Sequence, residues 1–159
     1  MILKAINFLK DKKKFDIVII GEGKNKKLLI DYAKEIGFKK NLHILNFKKN
    51  PYPYLVNSDL KILTSNFEGL PNVLIEAMAL DVPIISTNSP TGPREILLNG
   101  KAGFLIKRND HKSLSKKIRL FLQDPKIFKQ KKLFYKKSLK RFSSEKSLKK
   151  YIDIVDKII

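Results

Sequence analysis

Glu68 and Glu76 stand eight positions apart in FEGLPNVLIEAMALDVPIIST, residues 67 to 87, with Gly69, Leu70 and Pro71 between them. Glycine lets a backbone approach a ligand closely, and proline before an apolar helical pattern opens a helix whose first N–H groups lack internal acceptors. Such a terminus favours phosphate. Carboxylates beside it would repel a bare phosphate, yet they accept hydrogen bonds well from vicinal hydroxyls. A ligand with hydroxyls on both sides of a diphosphate meets both demands, and a nucleotide-sugar is such a ligand. The same acids also suit a plainer role, Glu68 capping the turn and Glu76 serving as a helix former near the positive end of the helix dipole.

The elements around this turn alternate between short β-rich runs and longer amphipathic ones, which is an α/β pattern. Strands are predicted at 15–20 (FDIVII), 42–47 (LHILNF), 60–65 (LKILTS), 82–87 (VPIIST) and 102–107 (AGFLIK). The opening residues have approximate helical spacing, and further helices are predicted at 25–36, 71–80 and 94–99. The two prolines of KKNPYPYLVNS forbid a long regular element there. Strands separated by helices imply a parallel sheet with right-handed crossovers. After residue 107 only helices are predicted, at 111–123, 126–141 and 145–158, so that 1–107 forms an α/β core and 108–159 a basic helical segment packed on it. Ligands of open α/β sheets bind at the carboxyl ends of the strands, which singles out residues 21–23, 66–72 and 88–94. Gly21 and Gly23 lack the third glycine of a dinucleotide fingerprint, Lys26 standing in its place, and read either as a tight strand-to-helix turn or as a ligand contact.

The formal net charge of +19 is concentrated between residues 107 and 150, where Asp110, Asp124 and Glu145 are the acids among many lysines. Solvated helix faces, an anionic membrane surface and, less readily, nucleic acid all answer to such a run. No apolar run approaches a bilayer-spanning length, the amino terminus does not read as a signal peptide, and cysteine is absent. These features lead to an expectation of a cytoplasmic protein, with peripheral attachment to the inner face of a membrane as a variant. His43 and His111 lie in unrelated contexts and read as structural or surface residues rather than metal ligands.

Glu68 and Glu76, embedded in EGLPNVLIEAMALDVPIIST and followed by GPREILLNGKAGFLI, resemble the donor-binding half of the family 4 retaining glycosyltransferases, which have the two-domain GT-B fold. The likeness extends over VIIGEGKNKKLLIDYAKEIG and NSDLKILTS, from about Phe15 to Leu122. It implies a Rossmann-like three-layer domain in which Glu68 lies near the donor hexose and has the catalytic role. The backbone of Gly69, Leu70, Pro71, Asn72 and Val73 would offer N–H groups to the donor, and Glu76 would bind the ribose hydroxyls. Phe47 would flank the base, and Gly92 and Glu95 would sit in a loop near the same edge. No cofactor or bound metal is implied. The resemblance also implies parts this chain lacks: an acceptor-binding domain, the first strand of the donor domain and the Arg and Lys that neutralise the diphosphate. Without that central strand, either its two neighbours close the gap or a partner supplies what is missing. The chain is therefore expected to be a donor-binding module incomplete by itself, the alternatives being a basic adaptor or a truncated, inactive fragment.

Overall fold

A computed structural model of the chain describes residues 1–156. Strands form where aliphatic and β-branched residues cluster: β1 Ile17–Ile20, β2 Leu42–Leu45, β3 Lys61–Leu63, β4 Ile84–Thr87 and β5 Phe104–Ile106. Each lies inside the run predicted for it and is shorter. The helices are α1 Ile2–Asn7, α2 Lys26–Glu35, α3 Tyr52–Val56, α4 Asn72–Ala79, α5 Pro93–Ile96, α6 His111–Gln123, α7 Lys126–Lys132, α8 Tyr135–Leu139 and α9 Ser144–Val155. The helix predicted at 94–99 is replaced by α5 and a separate 3-10 turn at Leu98–Gly100. Positions 157 and 158 of the last predicted helix lie outside the described residues.

β4 is the buried centre of a parallel three-stranded sheet, with Ile85 opposite both Ile62 of β3 and Phe104 of β5. All four of its residues are buried, and successive side chains leave a strand on opposite faces. Ile84 accordingly packs with Leu74, Ala77 and Ile96 beneath α4 and α5, whereas Ile85 packs with Ala5, Leu114 and Ile118 beneath α1 and α6. Helices therefore cover both faces, giving the three-layer Rossmann-like arrangement.

β1 and β2 form a separate parallel pair, with Ile17 opposite Leu42, and among the described residues no ladder joins β1 to β3. Closure of the gap by direct pairing of β1 with β3, one of the two outcomes expected, is not what the structure has. α1 bridges it: Leu3 and Ile6 pack with Ala33 and Phe38 beside β1 and β2, while Ala5 and Leu9 belong to the core around Ile85, and Phe15 touches both.

Local chemistry explains most element ends. α2 and α4 finish in Schellman turns, with Phe38 N–H donating to Ala33 O at 2.7 Å across Gly37 (φ 69°), and Val82 N–H to Ala77 O at 2.8 Å across Asp81 (φ 59°). The Asp110 carboxylate accepts from the Ser113 N–H at 2.8 Å and from its hydroxyl at 2.7 Å, capping α6. Those bonds hold the Asp110 carboxyl below the usual carboxylate range.

The single helix predicted at 126–141 is broken at Leu133 and Phe134 into α7 and α8. The cause is tertiary. Phe128 packs edge-on against Phe121 in the core beneath α6, whereas Tyr135 joins the core beneath α4. The Tyr135 hydroxyl donates to Val82 O at 2.9 Å, and the Ser138 hydroxyl to Ile96 O at 2.6 Å, all of it buried. Burial pushes the Tyr135 phenol well above its ordinary pKa, so it stays a neutral donor. Tyr135→Phe and Ser138→Ala each strand a buried carbonyl, and each is expected to cost roughly 1–3 kcal/mol in urea unfolding. An unchanged midpoint in both variants would contradict this account of how α8 is held.

Candidate functional site

The site is built where β3 and β4 leave the sheet. The Thr87 hydroxyl donates to Ser65 O at 2.6 Å, fixing the exit of β3 to the end of β4. The chain then turns through half-buried Glu68, exposed Gly69 and exposed Leu70 into buried Pro71. Pro71, predicted as the first helical residue, stands one position earlier as the N-cap, with ψ 93°. Its fixed φ still aims the chain into α4, and its carbonyl accepts from Leu74 N–H at 2.9 Å. No side chain caps α4 and its first turn holds no acid, so the N–H groups of Asn72 and Val73 are left without an internal acceptor.

The loop after β4 is locked onto this turn. The Thr91 hydroxyl donates to the Glu68 carbonyl. Gly92 adopts φ 83°, and a Cβ there would collide with Gly69 O and with Cδ of Pro71. Only a glycine fits both the backbone angle and the space. Sequence reasoning singled out the 88–94 loop and Gly92 within it, but gave Thr91 no role of its own.

Glu76 lies one turn further along α4 and is half-buried. Lys61, at the start of β3, is close enough for its ammonium to feel the Glu76 carboxylate. Burial lowers the Lys61 pKa, and Glu76 partly opposes that shift. Sequence reasoning gave Lys61 no place in the site, because α4 runs back along β3 and brings together residues far apart in the chain.

Beside Glu68 an open cavity of about 550 Å³ is lined by Asn66, Phe67, Asn88, Lys107, Arg108 and Asn109, from the carboxyl ends of β3, β4 and β5. Arg108 reaches across it, donating to Asn66 O at 3.4 Å with its guanidinium 5.5 Å from the Phe67 ring centroid. The sequence presents Lys107 and Arg108 as the start of a basic run, which hides their position across the cavity from Asn66 and Phe67.

Glu68, Gly69, Leu70, Pro71, Asn72, Val73, Glu76 and Gly92 are thus gathered on one turn, one helix and the loop behind them. Gly21, Gly23 and Phe47 stand instead at the carboxyl ends of β1 and β2, on the other side of the gap. Gly21 (φ 130°) turns the chain out of β1 while its N–H donates to Leu45 O at 3.0 Å, and Phe47 is 75% exposed. Glu95 does not face the cleft freely, because Arg141 holds its carboxylate at 3.0 Å. His43 pairs with Asp16 at 3.3 Å and His111 stacks on Phe8. Among the described residues no three His, Asp or Glu side chains group as a metal site would require.

This arrangement, helices on both faces of a parallel sheet with an uncapped helix terminus and two carboxylates at the strand ends, is that of a Rossmann-like domain. Residues 1–141 match the family model described as glycosyl transferases group 1, and the chain belongs to that family. Over 130 residues it is 32% identical to a Campylobacter jejuni N-acetylgalactosamine-N,N'-diacetylbacillosaminyl-diphospho-undecaprenol 4-alpha-N-acetylgalactosaminyltransferase, a match covering 82% of this chain and 36% of that protein. Over 122 residues it is 30% identical to the Staphylococcus aureus capsular polysaccharide biosynthesis glycosyltransferase CapM, covering 69% of this chain and 32% of that one. The structure of Anabaena HepE in complex with UDP superposes with a TM-score of 0.87 at 17% identity, over 98% of this chain and 44% of that one. The fold is therefore one half of a GT-B fold, and the chain spans well under half the length of these relatives.

Proposed function

We propose that this chain is the donor-binding portion of a retaining glycosyltransferase that uses a UDP-sugar in polysaccharide or glycolipid synthesis. The observation that carries the reading is the lock between the Glu68–Pro71 turn and Gly92, which holds an uncapped helix terminus between two carboxylates. In this reading Glu68 accepts hydroxyls of the donor sugar and Glu76 the vicinal hydroxyls of the ribose. The N–H groups of Asn72 and Val73 receive the diphosphate, with no metal ion called for. As the sugar–phosphate bond breaks, negative charge grows on the departing diphosphate, and these fixed donors stabilise it without reorganising. The relatives named above support the pathway class, since one acts on a diphospho-undecaprenol-linked sugar and another in capsule biosynthesis.

The acceptor and the remaining diphosphate-neutralising cations come, in this reading, from another domain or a partner chain. Incubated with UDP-sugars and polyprenyl-diphosphate acceptors, the chain alone is expected to bind UDP but give no transfer above the uncatalysed background. Transfer without a second polypeptide would overturn the incompleteness. Absence of UDP binding would overturn the donor assignment itself.

A further inference from the structure

Between Asp124 and Glu145 the chain carries no acid and is rich in lysine. Three cations of this stretch are turned onto the body of the fold. Lys131 donates to Gly100 O at 2.6 Å, Lys132 pairs with Asp81 at 2.9 Å, and Arg141 holds Glu95. Lys126, Lys129, Lys136, Lys137 and Lys140 are exposed and form no ion pair among the described residues. The inner side of α7 and α8 buries Phe128, Tyr135 and Ser138. Where the two helices break, Leu133 is 80% exposed, with Phe134 beside it at 37%. The break that lets Phe128 and Tyr135 enter different cores thus puts two consecutive apolar side chains on the surface, with unpaired Lys129 in the last turn of α7 and unpaired Lys136 and Lys137 in α8.

We propose that the α7–α8 break is a docking tip for an anionic lipid bilayer, with Leu133 and Phe134 entering the headgroup layer and Lys129, Lys136 and Lys137 meeting the lipid phosphates. The charge decides among occupants. A second copy of the chain would bring the same lysines against one another, which like charges oppose. A nucleic acid would satisfy the lysines but leave Leu133, 80% exposed, against a phosphate backbone, with Phe134 the one exposed aromatic of this stretch for stacking and no free arginine in it to read bases. An anionic bilayer satisfies both parts, because lysine stems can snorkel while an apolar tip sits below them. The proposal does not depend on the donor reading.

The test is sedimentation of the full chain with vesicles of equal parts phosphatidylglycerol and phosphatidylcholine, against pure phosphatidylcholine. Binding is expected only to the anionic vesicles, with release on raising salt. Leu133→Asp is expected to weaken binding about tenfold or more, combining lost apolar insertion with added negative charge. Lys129→Gln, Lys136→Gln and Lys137→Gln should each cost about fivefold. The chain has no tryptophan, so a Leu133→Trp variant reports the tip directly, and its emission should shift to the blue with anionic vesicles. Vesicle binding that neither Leu133→Asp nor Leu133→Gln alters, with no emission shift, would overturn the proposal and leave only diffuse charge attraction. Retention on duplex DNA without vesicle binding would equally overturn it and assign the face to nucleic acid.

Discussion

Glu76→Ala is expected to weaken UDP binding by roughly 1–3 kcal/mol, about 5- to 150-fold in Kd measured by calorimetry. The physical reason is that a half-buried carboxylate on the second turn of α4 can accept both ribose hydroxyls, and charge-assisted bonds are the stronger kind. The same substitution also removes the opposite charge that Lys61 feels, so a fall in stability could pass for a loss of binding. A Lys61→Met/Glu76→Ala double variant separates the two. It removes the cation along with its partner and is expected to recover stability lost by Glu76→Ala without recovering UDP affinity. Equal UDP affinity in wild type and Glu76→Ala would count against the ribose assignment, and recovery of affinity in the double variant would show that Glu76 acts only through the fold.

Gly92→Ala is the second large effect, and it arises from sterics instead of charge. A Cβ at Gly92 meets Gly69 O and the Pro71 ring, at a backbone φ of 83° and ψ of −71° that an L side chain adopts only at a cost of about 1–3 kcal/mol. Forcing atoms into occupied space adds typically about 1–3 kcal/mol. The turn from Glu68 to Pro71 must move to make room, so the variant is expected to lose both melting temperature and at least tenfold in UDP affinity. Gly100→Ala is the control, because Gly100 has a similar φ of 89° but no atom within 4 Å of the added Cβ. It should carry the backbone cost and leave UDP binding unchanged. A Gly92→Ala variant that binds UDP like wild type would mean that the contact between the two loops does not shape the site.

Much of this was legible in the sequence wherever local chemistry decides the outcome. The helix at 111–123 was predicted to the residue, because Asp110 and Ser113 make a cap within three positions and Asp124 precedes Pro125. The α4 turn was legible for a similar reason, since proline and glycine restrict the backbone by themselves. The break at Leu133 was not legible, as KKLFYKK holds no glycine or proline and every residue tolerates a helix. What breaks it is the commitment of Phe128 and Tyr135 to cores on different sides of the sheet. The capture of Glu95 by Arg141, and the approach of Lys61 to Glu76, depend on packing between distant segments and have no local signature. Gly21, Gly23 and Phe47 share the chain's strand-end pattern with the Glu68 turn, but the gap between β1 and β3 puts them on a separate sheet.

The central claim is that the Glu68–Val73 turn and the start of α4 receive the donor diphosphate. Backbone amide shifts followed by NMR during a UDP titration test it most directly. The account predicts that the amides of Gly69, Leu70, Asn72 and Val73 move together and saturate in one binding curve, with Gly92 following because it packs on the turn. Shifts confined to the lysine-rich helices after residue 107, with the amides of the turn unmoved, would contradict it.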